Sequence, residues 1–446
     1  MKYCVIIAAV CSAAWCGAVT RYVAPGGLHN APYTNWADAA TDIPSALAVA
    51  HDDDLILVTN GAYQLTETLA FTNATITLRS VNGAAATIIE GDGTFLIMYI
   101  ARYCIIDGFT VRGGLSTGEA GGGMEIDDGI VRNCVITDCT AMFAGGAIAG
   151  DGGILEDSIV QGNTAQRAAG GVIAANGGIV RRCLIVDNHV TETGPASELY
   201  LGGGGAIVFF GGYIADCVIS NNSSAKHGGG IGFMGTNIVE RCYITDNTAA
   251  ESGGGVYMDN GGILRSCVVR GNYAANGGGV ACLTNGVVQN CTVVDNTATN
   301  AGGGLHTIAG GRSENSIIYF NHAPVSSNYA AQGSVTYRFS CALPLMSGAG
   351  CISNDPQFIS FAGNLRLPSS SPCVDSGTNL PGLRLLTALD GNVRVSNGVD
   401  MGAYERSYPA PTLVITTMSV LVTYDVASLA LAGTNSPGIH GDMRVR

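Results

Sequence analysis

The sequence predicts an all-β protein, a right-handed parallel β-helix with coils of about 25 residues. Three observations predict this fold: a short phrase that returns at a nearly constant period, glycine runs that return at the same period, and a column of Asn residues. Repeats of this length stack as a solenoid, because each unit can bury its apolar face only against its neighbours.

The repeated phrase places a small anchor residue among β-branched residues, as in VRRCLIVDN and VERCYITDN. Successive anchors lie 24 or 25 residues apart, except for one step of 34 that an insertion near His189 to Leu201 explains. Each repeat holds two short β-branched runs and no helical pattern, which disfavours a leucine-rich repeat. Strands joined in this way stack as parallel coils about 4.8 Å apart. The anchors are Cys134, Ser158, Cys183, Cys217, Cys242, Cys267, Cys291 and Ser316.

Glycine pairs and triplets recur once in each coil, and Gly makes up 64 of the 446 residues. Such runs are typical of sharp corners, where a positive φ or a close backbone approach excludes a side chain. No run continues as Gly-Lys-Ser/Thr, so a phosphate-binding loop is excluded. The glycine runs therefore support the coil structure and not a nucleotide site.

An Asn column follows the anchors. Two positions after each anchor stands Ile or Val, so both residues share the core-facing side of a strand. Five positions after the anchor, seven of the eight repeats have Asn, and the exception is Cys139. An amide offers both a donor and an acceptor, so each can hydrogen-bond the identical amide of the next coil. The pattern predicts a structural Asn ladder of Asn163, Asn188, Asn222, Asn247, Asn272, Asn296 and Asn321.

The Cys anchors form a second column. Equivalent Cβ atoms stay near the coil spacing of about 4.8 Å, beyond the roughly 3.5–4.5 Å that a disulfide needs. Paired Cys-x-x-Cys or His ligands for a metal are also missing from the sequence. We therefore expect a structural Cys ladder of buried thiols. Its members are Cys134, Cys183, Cys217, Cys242, Cys267 and Cys291, whereas Cys341 and Cys351 flank a Gly-rich loop and form the predicted disulfide.

Charge and the N-terminus limit the partners and the location. The net charge of −13, with Lys only at Lys2 and Lys226, leaves no basic surface for nucleic acid. An apolar stretch from Tyr3 to Trp15 followed by small residues predicts a signal peptide cleaved after Ala18. No later segment reaches the roughly 20 apolar residues of a transmembrane span. We expect an extracellular protein or one attached to the surface of the cell envelope.

The ends of the chain carry family resemblances. The segment from Trp36 to Asp92 resembles the first coils of secreted β-helix proteins of the pectate-lyase-like class. The ordered motifs NDPQFIS, GNLRLPSSSPCVDSG, ALDGNVR and GVDMGAYE, between Asn354 and Glu405, resemble the closing region of the bacterial choice-of-anchor Q family. The repeats carry Gly-Gly-Ala-Ile at Gly145 to Ile148 and at Gly204 to Ile207 and end on Asn, and in this they are also similar to those of the chlamydial-type polymorphic outer-membrane proteins. After Pro411, three apolar strands resemble the start of a truncated Ig-like β segment.

These signals divide the chain into five parts. The predicted parts are a signal peptide at 1–18, an N-terminal cap with the first coils at 19–92, the β-helix repeats at 93–322, a closing region at 323–407 and the start of an Ig-like module at 408–446.

Acidic residues gather on two successive coils. Glu125, Asp127, Asp128 and Asp151 are the candidates for catalysis, and Asp127 and Asp151 are the candidates for binding Ca²⁺, the one cofactor that the sequence raises. Turn bonding by Asx side chains explains Asp127 and Asp151 without a ligand, so both interpretations stay open. Other titratable residues lack a partner at fixed spacing or fit local turns: His227, His306, Asp375, Asp390, Asp400 and Glu405.

Two outward strand columns are mostly apolar or small, one from Glu125 to His306 and one from Val135 to Ile317. An exposed stripe of this length exceeds what a monomer usually leaves bare. We expect the insertion, the C-terminal segment or another subunit to cover it, with self-association along the stripe as one outcome.

Three functional interpretations remain. We expect a non-catalytic scaffold for adhesion that contacts polysaccharide or host and cell-surface glycans. The alternatives are a polysaccharide lyase or glycoside hydrolase, and a structural spacer in a longer exported protein. The fold alone does not separate them.

Overall fold

A computed structural model describes residues 17–118, 121–191, 202–380, 386–394 and 398–406. It confirms the predicted fold class, a parallel β-solenoid of about 11 turns with coils of about 25 residues. The predicted Ig-like segment and most of the predicted signal peptide lie outside the described residues. A short helix at Ile43–Ala48 covers the first coil, and its N-terminus is capped by Asp42, whose Oδ1 accepts from the Ser45 amide at 2.8 Å. Of the helices in the described ranges, none is long and apolar enough to cross a membrane.

Within the described residues the strands form four parallel sheets, numbered here in the order in which each coil visits them. Sheet 1 consists of Thr20–Val23, Leu55–Val58, Thr77–Ser80, Ile105–Asp107, Ile130–Arg132, Ile154–Glu156, Ile179–Arg181, Tyr213–Ala215, Ile238–Glu240, Ile263–Arg265, Val287–Gln289, Arg312–Glu314 and Thr336–Arg338. Sheet 2 consists of Gly61–Gln64, Thr87–Glu90, Thr110–Arg112, Val135–Thr137, Ile159–Gln161, Leu184–Val186, Val218–Ser220, Tyr243–Thr245, Val268–Arg270, Thr292–Val294, Ile317–Tyr319 and Cys341–Ala342.

The other two sheets complete each coil. Sheet 3 consists of Leu115–Ser116, Thr140–Ala141, Thr164–Ala165, His189–Val190, Ser223–Ser224, Thr248–Ala249, Tyr273–Asn276 and Thr297–Ala301. Sheet 4 consists of Leu69–Phe71, Met98–Ile100, Met124–Asp127, Ala147–Gly150, Val172–Ala174, Ala206–Phe209, Ile231–Met234, Val256–Asn260, Val280–Thr284, Leu305–Ala309 and Tyr329–Ala331. Equivalent residues pair directly from coil to coil, as Ile136 does with Val160.

Single residues with positive φ turn the chain between sheets. Asn133, Asp157 and Asp216 make the corner from sheet 1 to sheet 2 with φ of 54°, 49° and 55°. Asn and Asp tolerate this left-handed region better than other residues with a side chain. The corner from sheet 3 to sheet 4 instead needs Gly, because a Cβ on Gly146 would lie 2.5 Å from the carbonyl oxygen of Gly171. Local conformational preference therefore fixes where each coil bends.

The Asn column forms a continuous hydrogen-bonded ladder in the buried interior. In a typical step, the Oδ1 of Asn247 accepts from both the backbone amide and the Nδ2 of Asn222, each at 3.0 Å. The same pattern runs from Asn163 to Asn321 and ends on Asn328, which the sequence analysis missed. Each amide also binds a backbone carbonyl of the preceding coil. The ladder thus ties neighbouring coils together in one register.

The C-terminal segment covers part of the apolar column on sheet 2. Leu365, Leu389 and Ala403 pack against Val268 and Val294 in one buried cluster. A second cluster joins members of the segment to the last coils: Ile317, Tyr319, Cys341, Leu367, Cys373 and Met401. The C-terminal segment is therefore one of the three expected covers, and it lies over the later coils of the column.

A buried Arg anchors this segment. The guanidinium of Arg394 donates to the carbonyl oxygens of Gly402 at 2.9 Å and Ala403 at 2.6 Å, and to Ser266 Oγ at 3.1 Å. Its Nη1 also lies 3.6 Å from Glu405 Oε2. Because Ser266 belongs to the solenoid, Arg394 links the closing region to the coil surface.

The outward column of sheet 4 is less exposed than its apolar composition led us to expect. Ile173 and Ile207 are only 4% and 1% exposed, and they pack against Phe143, Ala168 and Ala169 from the neighbouring sheet 3 corners. The stripe is therefore covered on these coils, as expected, but by the sheet 3 corners of the same chain. Apolar side chains here fill the angle between two sheets of the same chain.

Candidate functional site

The candidate site lies at the edge between sheet 4 and sheet 1, on two or three coils near the start of the repeats. Sheet register places Tyr99 beside Glu125 and Asp127 beside Gly150. Alternation along the strand then directs Glu125 and Asp127 to the same outer face. Asp128 and Asp151 follow in the turns, with φ of 56° and 44°. The acidic residues singled out from the sequence are thus neighbours in space.

These residues surround an open groove with a cavity volume of about 610 Å³. Three of the four predicted acidic residues line it, whereas Glu125 stands beside it. Tyr99 donates a hydrogen bond from its hydroxyl to Asp127 Oδ2 at 3.1 Å. Tyr103 is 72% exposed at the rim. The lining residues are Thr75, Tyr99, Ala101, Arg102, Tyr103, Asp127, Asp128 and Asp151.

Burial and mutual repulsion perturb the carboxyl groups. Desolvation raises the pKa of Glu125, and the charges of Asp127 and Asp151 raise it further. Desolvation also raises the pKa of Asp127, although the hydrogen bond from Tyr99 opposes this rise. The Tyr99 hydroxyl has a raised pKa, first because of burial and then because of Asp127. Glu125 and Asp127 therefore retain their protons to a higher pH than isolated carboxyl groups do, so the site offers both hydrogen-bond donors and acceptors.

The aromatic side of this groove was missed by the sequence analysis. Tyr99, Arg102 and Tyr103 belong to a coil that precedes the first recognisable repeat phrase. The distance of 25 residues from Tyr103 to Asp128 was the signal that could have found them.

The calcium interpretation of Asp127 and Asp151 gains no support from the geometry. Across the residues that the structure describes, no group of three or more His, Cys, Asp or Glu side chains is placed to hold a metal ion. Asp127 instead accepts the Tyr99 hydroxyl, and Asp151 occupies a turn position with positive φ.

His306 lies in sheet 4 and His227 lies at the corner that leads into it, where His227 has partners that the sequence spacing did not reveal. Its Nε2 lies 3.4 Å from Glu251 Oε2, and its ring stacks on Tyr257 with centroids 4.4 Å apart. Burial lowers the pKa of both His227 and His306, which favours their neutral forms. The contacts of His227 lie at a sheet corner.

The Cys ladder consists of buried free thiols. The thiol of Cys183 donates to the Arg181 carbonyl oxygen at 3.3 Å, and the thiol of Cys217 accepts from the Cys183 amide at 3.4 Å. Burial raises the pKa of Cys134 to about 12, so its thiolate form is scarce at neutral pH. The column contributes packing and hydrogen bonds to the interior.

The predicted disulfide between Cys341 and Cys351 is not formed in the structure, where both thiols are free. Cys341 faces outward into the cluster under the C-terminal segment, whereas Cys351 packs against the solenoid core. The two side chains therefore point to opposite sides of the chain. The Cys341 thiol instead donates to the Asn354 carbonyl oxygen at 3.2 Å, and Cys341 shares its buried cluster with Cys373.

The acidic residues of the closing region make local hydrogen bonds. Asp400 accepts from the backbone amides of Asp375 and Arg406, each at 2.8 Å. Asp390 accepts from Arg366 Nε at 3.3 Å. Such contacts fit the turn interpretation of this region and leave the groove near Tyr99 as the candidate site.

Comparisons with known proteins assign no family. No protein-family model and no curated protein matches the chain. Its solved neighbours include pectate lyase Pel9A, with 15% identity, a TM-score of 0.45, and coverage of 88% of this chain and 98% of that one. XylC in complex with xylose has 9% identity, a TM-score of 0.48 and coverage of 76% and 87%.

The catalytic unit of a GH87 α-1,3-glucanase from Streptomyces thermodiastaticus has 15% identity, a TM-score of 0.37 and coverage of 81% and 67%. At these identities and TM-scores, none of the three structures assigns an activity or a ligand to this chain. The function must therefore be argued from the groove itself.

Proposed function

We propose that this chain is an exported, non-catalytic scaffold that binds neutral glycans in the groove beside Tyr99. The observation that carries the proposal is an open groove of about 610 Å³ lined by two tyrosines and three aspartates. A sugar ring has an apolar C–H face and a rim of hydroxyl groups. Aromatic rings pack against the former, and carboxylates accept hydrogen bonds from the latter.

Charge favours a neutral ligand over an acidic one. Three carboxylates line the groove, and the chain has a net charge of −13. A polyanionic chain would approach against this like charge, at a cost that a neutral chain avoids. Adhesion to neutral surface glycans is therefore the form of the proposal that the groove supports best.

Glycoside hydrolysis is the second candidate, and the perturbed pKa of Glu125 favours it. This reaction needs one carboxyl group that keeps its proton and a second that is ionised. Burial, together with Asp127 and Asp151, raises the pKa of Glu125; burial also raises the pKa of Asp127, but there the Tyr99 hydrogen bond opposes the rise. Glu125 would act as the acid and Asp127 as the base or nucleophile.

Affinity electrophoresis tests the proposal. The protein is run in native gels that contain soluble glucan, xylan, mannan, galactan or polygalacturonate. We expect at least one neutral polysaccharide to retard it, and Asp127→Asn to weaken that retardation. Asp138→Asn is the matched control, because Asp138 occupies a turn with φ of 53° between sheets 2 and 3, outside the groove lining.

Retardation by no neutral polysaccharide would contradict glycan binding. The same polysaccharides are also assayed for released reducing ends. Release that Glu125→Gln abolishes would favour hydrolysis over the non-catalytic scaffold, whereas binding without release supports the scaffold.

A further inference from the structure

The turns that join sheet 4 to sheet 1 form a column of residues along one edge of the solenoid. In each of five successive coils the turn contains a residue with a side chain and a left-handed backbone, with φ between 44° and 59°. These residues are Tyr103, Asp128, Asp151, Asn176 and Phe210; in the first of these turns Arg102 has the same conformation, with φ of 57°. The first three line the groove described above, and the last two continue the same edge beyond it.

Phe210 is unfavourable in this turn for two reasons, its backbone conformation and the exposure of its apolar ring to water. Its φ is 49°, a region that bulky residues rarely adopt, and its side chain is 72% exposed. Asn or Asp would satisfy the turn at lower cost, as Asn176 does one coil earlier. Tyr103 combines the same two features, with φ of 59° and 72% exposure. Strained, exposed aromatic residues at both ends of an otherwise Asx column indicate a binding role.

The structure holds Phe210 in place from behind. Phe209 lies edge-on to it, with ring centroids 5.0 Å apart and planes at 76°. Phe209 packs in turn against the buried cluster that contains Ile207. The amide of Gly211 donates to Asn237 Oδ1 at 2.9 Å, which fixes the turn. The exposed ring is therefore a preorganised surface that ligand binding need not order.

Sheet register gives the distance between the two aromatic ends. Ala149 pairs with Ala174 and Ala174 with Val208, so the coils carrying Asp151, Asn176 and Phe210 are consecutive. Tyr103 and Phe210 lie four coils apart, on the order of 19 Å along the solenoid axis. Hydrogen-bonding side chains occupy each coil between them. An extended chain lying parallel to the axis fits this arrangement, and a single sugar ring does not span it.

We propose that Phe210 is a second aromatic platform of the glycan site, and that this edge binds a linear neutral polysaccharide along the solenoid axis from Tyr103 to Phe210. The inference rests on the proposed glycan binding and specifies the ligand as a chain several sugar units long. It also assigns a binding residue on a coil outside the groove.

Phe210→Asn tests this proposal, because Asn suits the turn and removes only the platform. Affinity electrophoresis in glucan, xylan, mannan and galactan gels compares three proteins: the Phe210→Asn variant, the unchanged protein and the control variant Tyr273→Asn. Tyr273 is an aromatic residue of sheet 3 and is 45% exposed. We expect about a tenfold loss of affinity for the retarding polysaccharide, an unchanged or raised melting temperature, and no loss in Tyr273→Asn. Affinity for the disaccharide of that polysaccharide should stay unchanged.

The outcomes separate the two proposals. Retardation of the unchanged protein by none of the four polysaccharides overturns glycan binding and this inference with it. If a polysaccharide retards the Phe210→Asn variant as strongly as the unchanged protein, the second aromatic platform is overturned and glycan binding is not. An equal loss of polysaccharide and disaccharide affinity contradicts the extended chain.

Discussion

Asn247→Ala probes the hydrogen-bonded ladder that sets the register of the coils. The buried side chain accepts from the Asn222 amide and Nδ2, each at 3.0 Å, and donates to Ile219 O at 2.9 Å and Asn272 Oδ1 at 3.0 Å. The substitution leaves two buried donors of Asn222 without this acceptor, at about 1–3 kcal/mol each. We expect the free energy of unfolding to fall by about 2–6 kcal/mol.

Two matched variants calibrate this loss in urea titrations followed by circular dichroism. Within the described part of the chain, Asn163 Oδ1 accepts from one donor, the Cys139 amide at 3.0 Å, so Asn163→Ala should cost less than Asn247→Ala. Asn300 is exposed in sheet 3, and Asn300→Ala should change stability by less than about 0.5 kcal/mol. If Asn247→Ala unfolds at the same urea concentration as Asn300→Ala, the ladder does not stabilise the solenoid and the reasoning is refuted.

Two further predictions concern the closing region. Burial and then Asp400 raise the pKa of Glu405 to about 8, against the effect of Arg394, from an ordinary value of 4.5. The folded state then binds more protons than the unfolded state, so this group's contribution to stability should fall as pH rises from about 4.5 to about 8. Urea midpoints should lose part of this pH dependence in Glu405→Gln, and an unchanged slope would contradict the assignment. Oxidation by a glutathione disulfide buffer should link Cys341 to Cys373, since both lie in one buried cluster under the closing region; a Cys341–Cys351 peptide in the mass map would contradict this pairing.

The repeated elements were predictable because one local rule acts in every coil. A period of two places Cys134 and Ile136 on the core side, and an amide that can pair with its own kind predicts the Asn column. Asn328 escaped prediction because it follows Asn321 by seven residues, so the period does not reveal it. Regular spacing thus predicts the interior of the solenoid but not the point at which the ladder ends.

Features that depend on tertiary packing were not predictable from spacing. Cys341 and Cys351 are close in sequence, but the chain directs them to opposite faces. His227 meets Glu251 and Tyr257 only because successive coils stack at a sheet corner. The covered columns depend likewise on where the closing region and the corners fold.

The sequence predicted the acidic residues of the candidate site but not its aromatic residues. Its acidic residues stand out against a sequence with 12% charged residues, and three of them line the groove. Its aromatic residues do not stand out, because Tyr103 precedes the first repeat phrase and Phe210 replaces the usual Asx residue of its turn. Residues that depart from the repeat pattern therefore indicate the candidate site, whereas residues that follow the pattern form the solenoid scaffold.

Hydrogen exchange of the whole protein, with and without a mixture of soluble glucan, xylan, mannan and galactan, tests the central claim most directly. Glycan binding at this edge predicts slower exchange in peptides covering residues 98–104 and 124–153, and unchanged exchange in the strands of sheet 2. Unchanged exchange throughout, or slowing confined to sheet 2, would contradict the assignment of the groove as a glycan site.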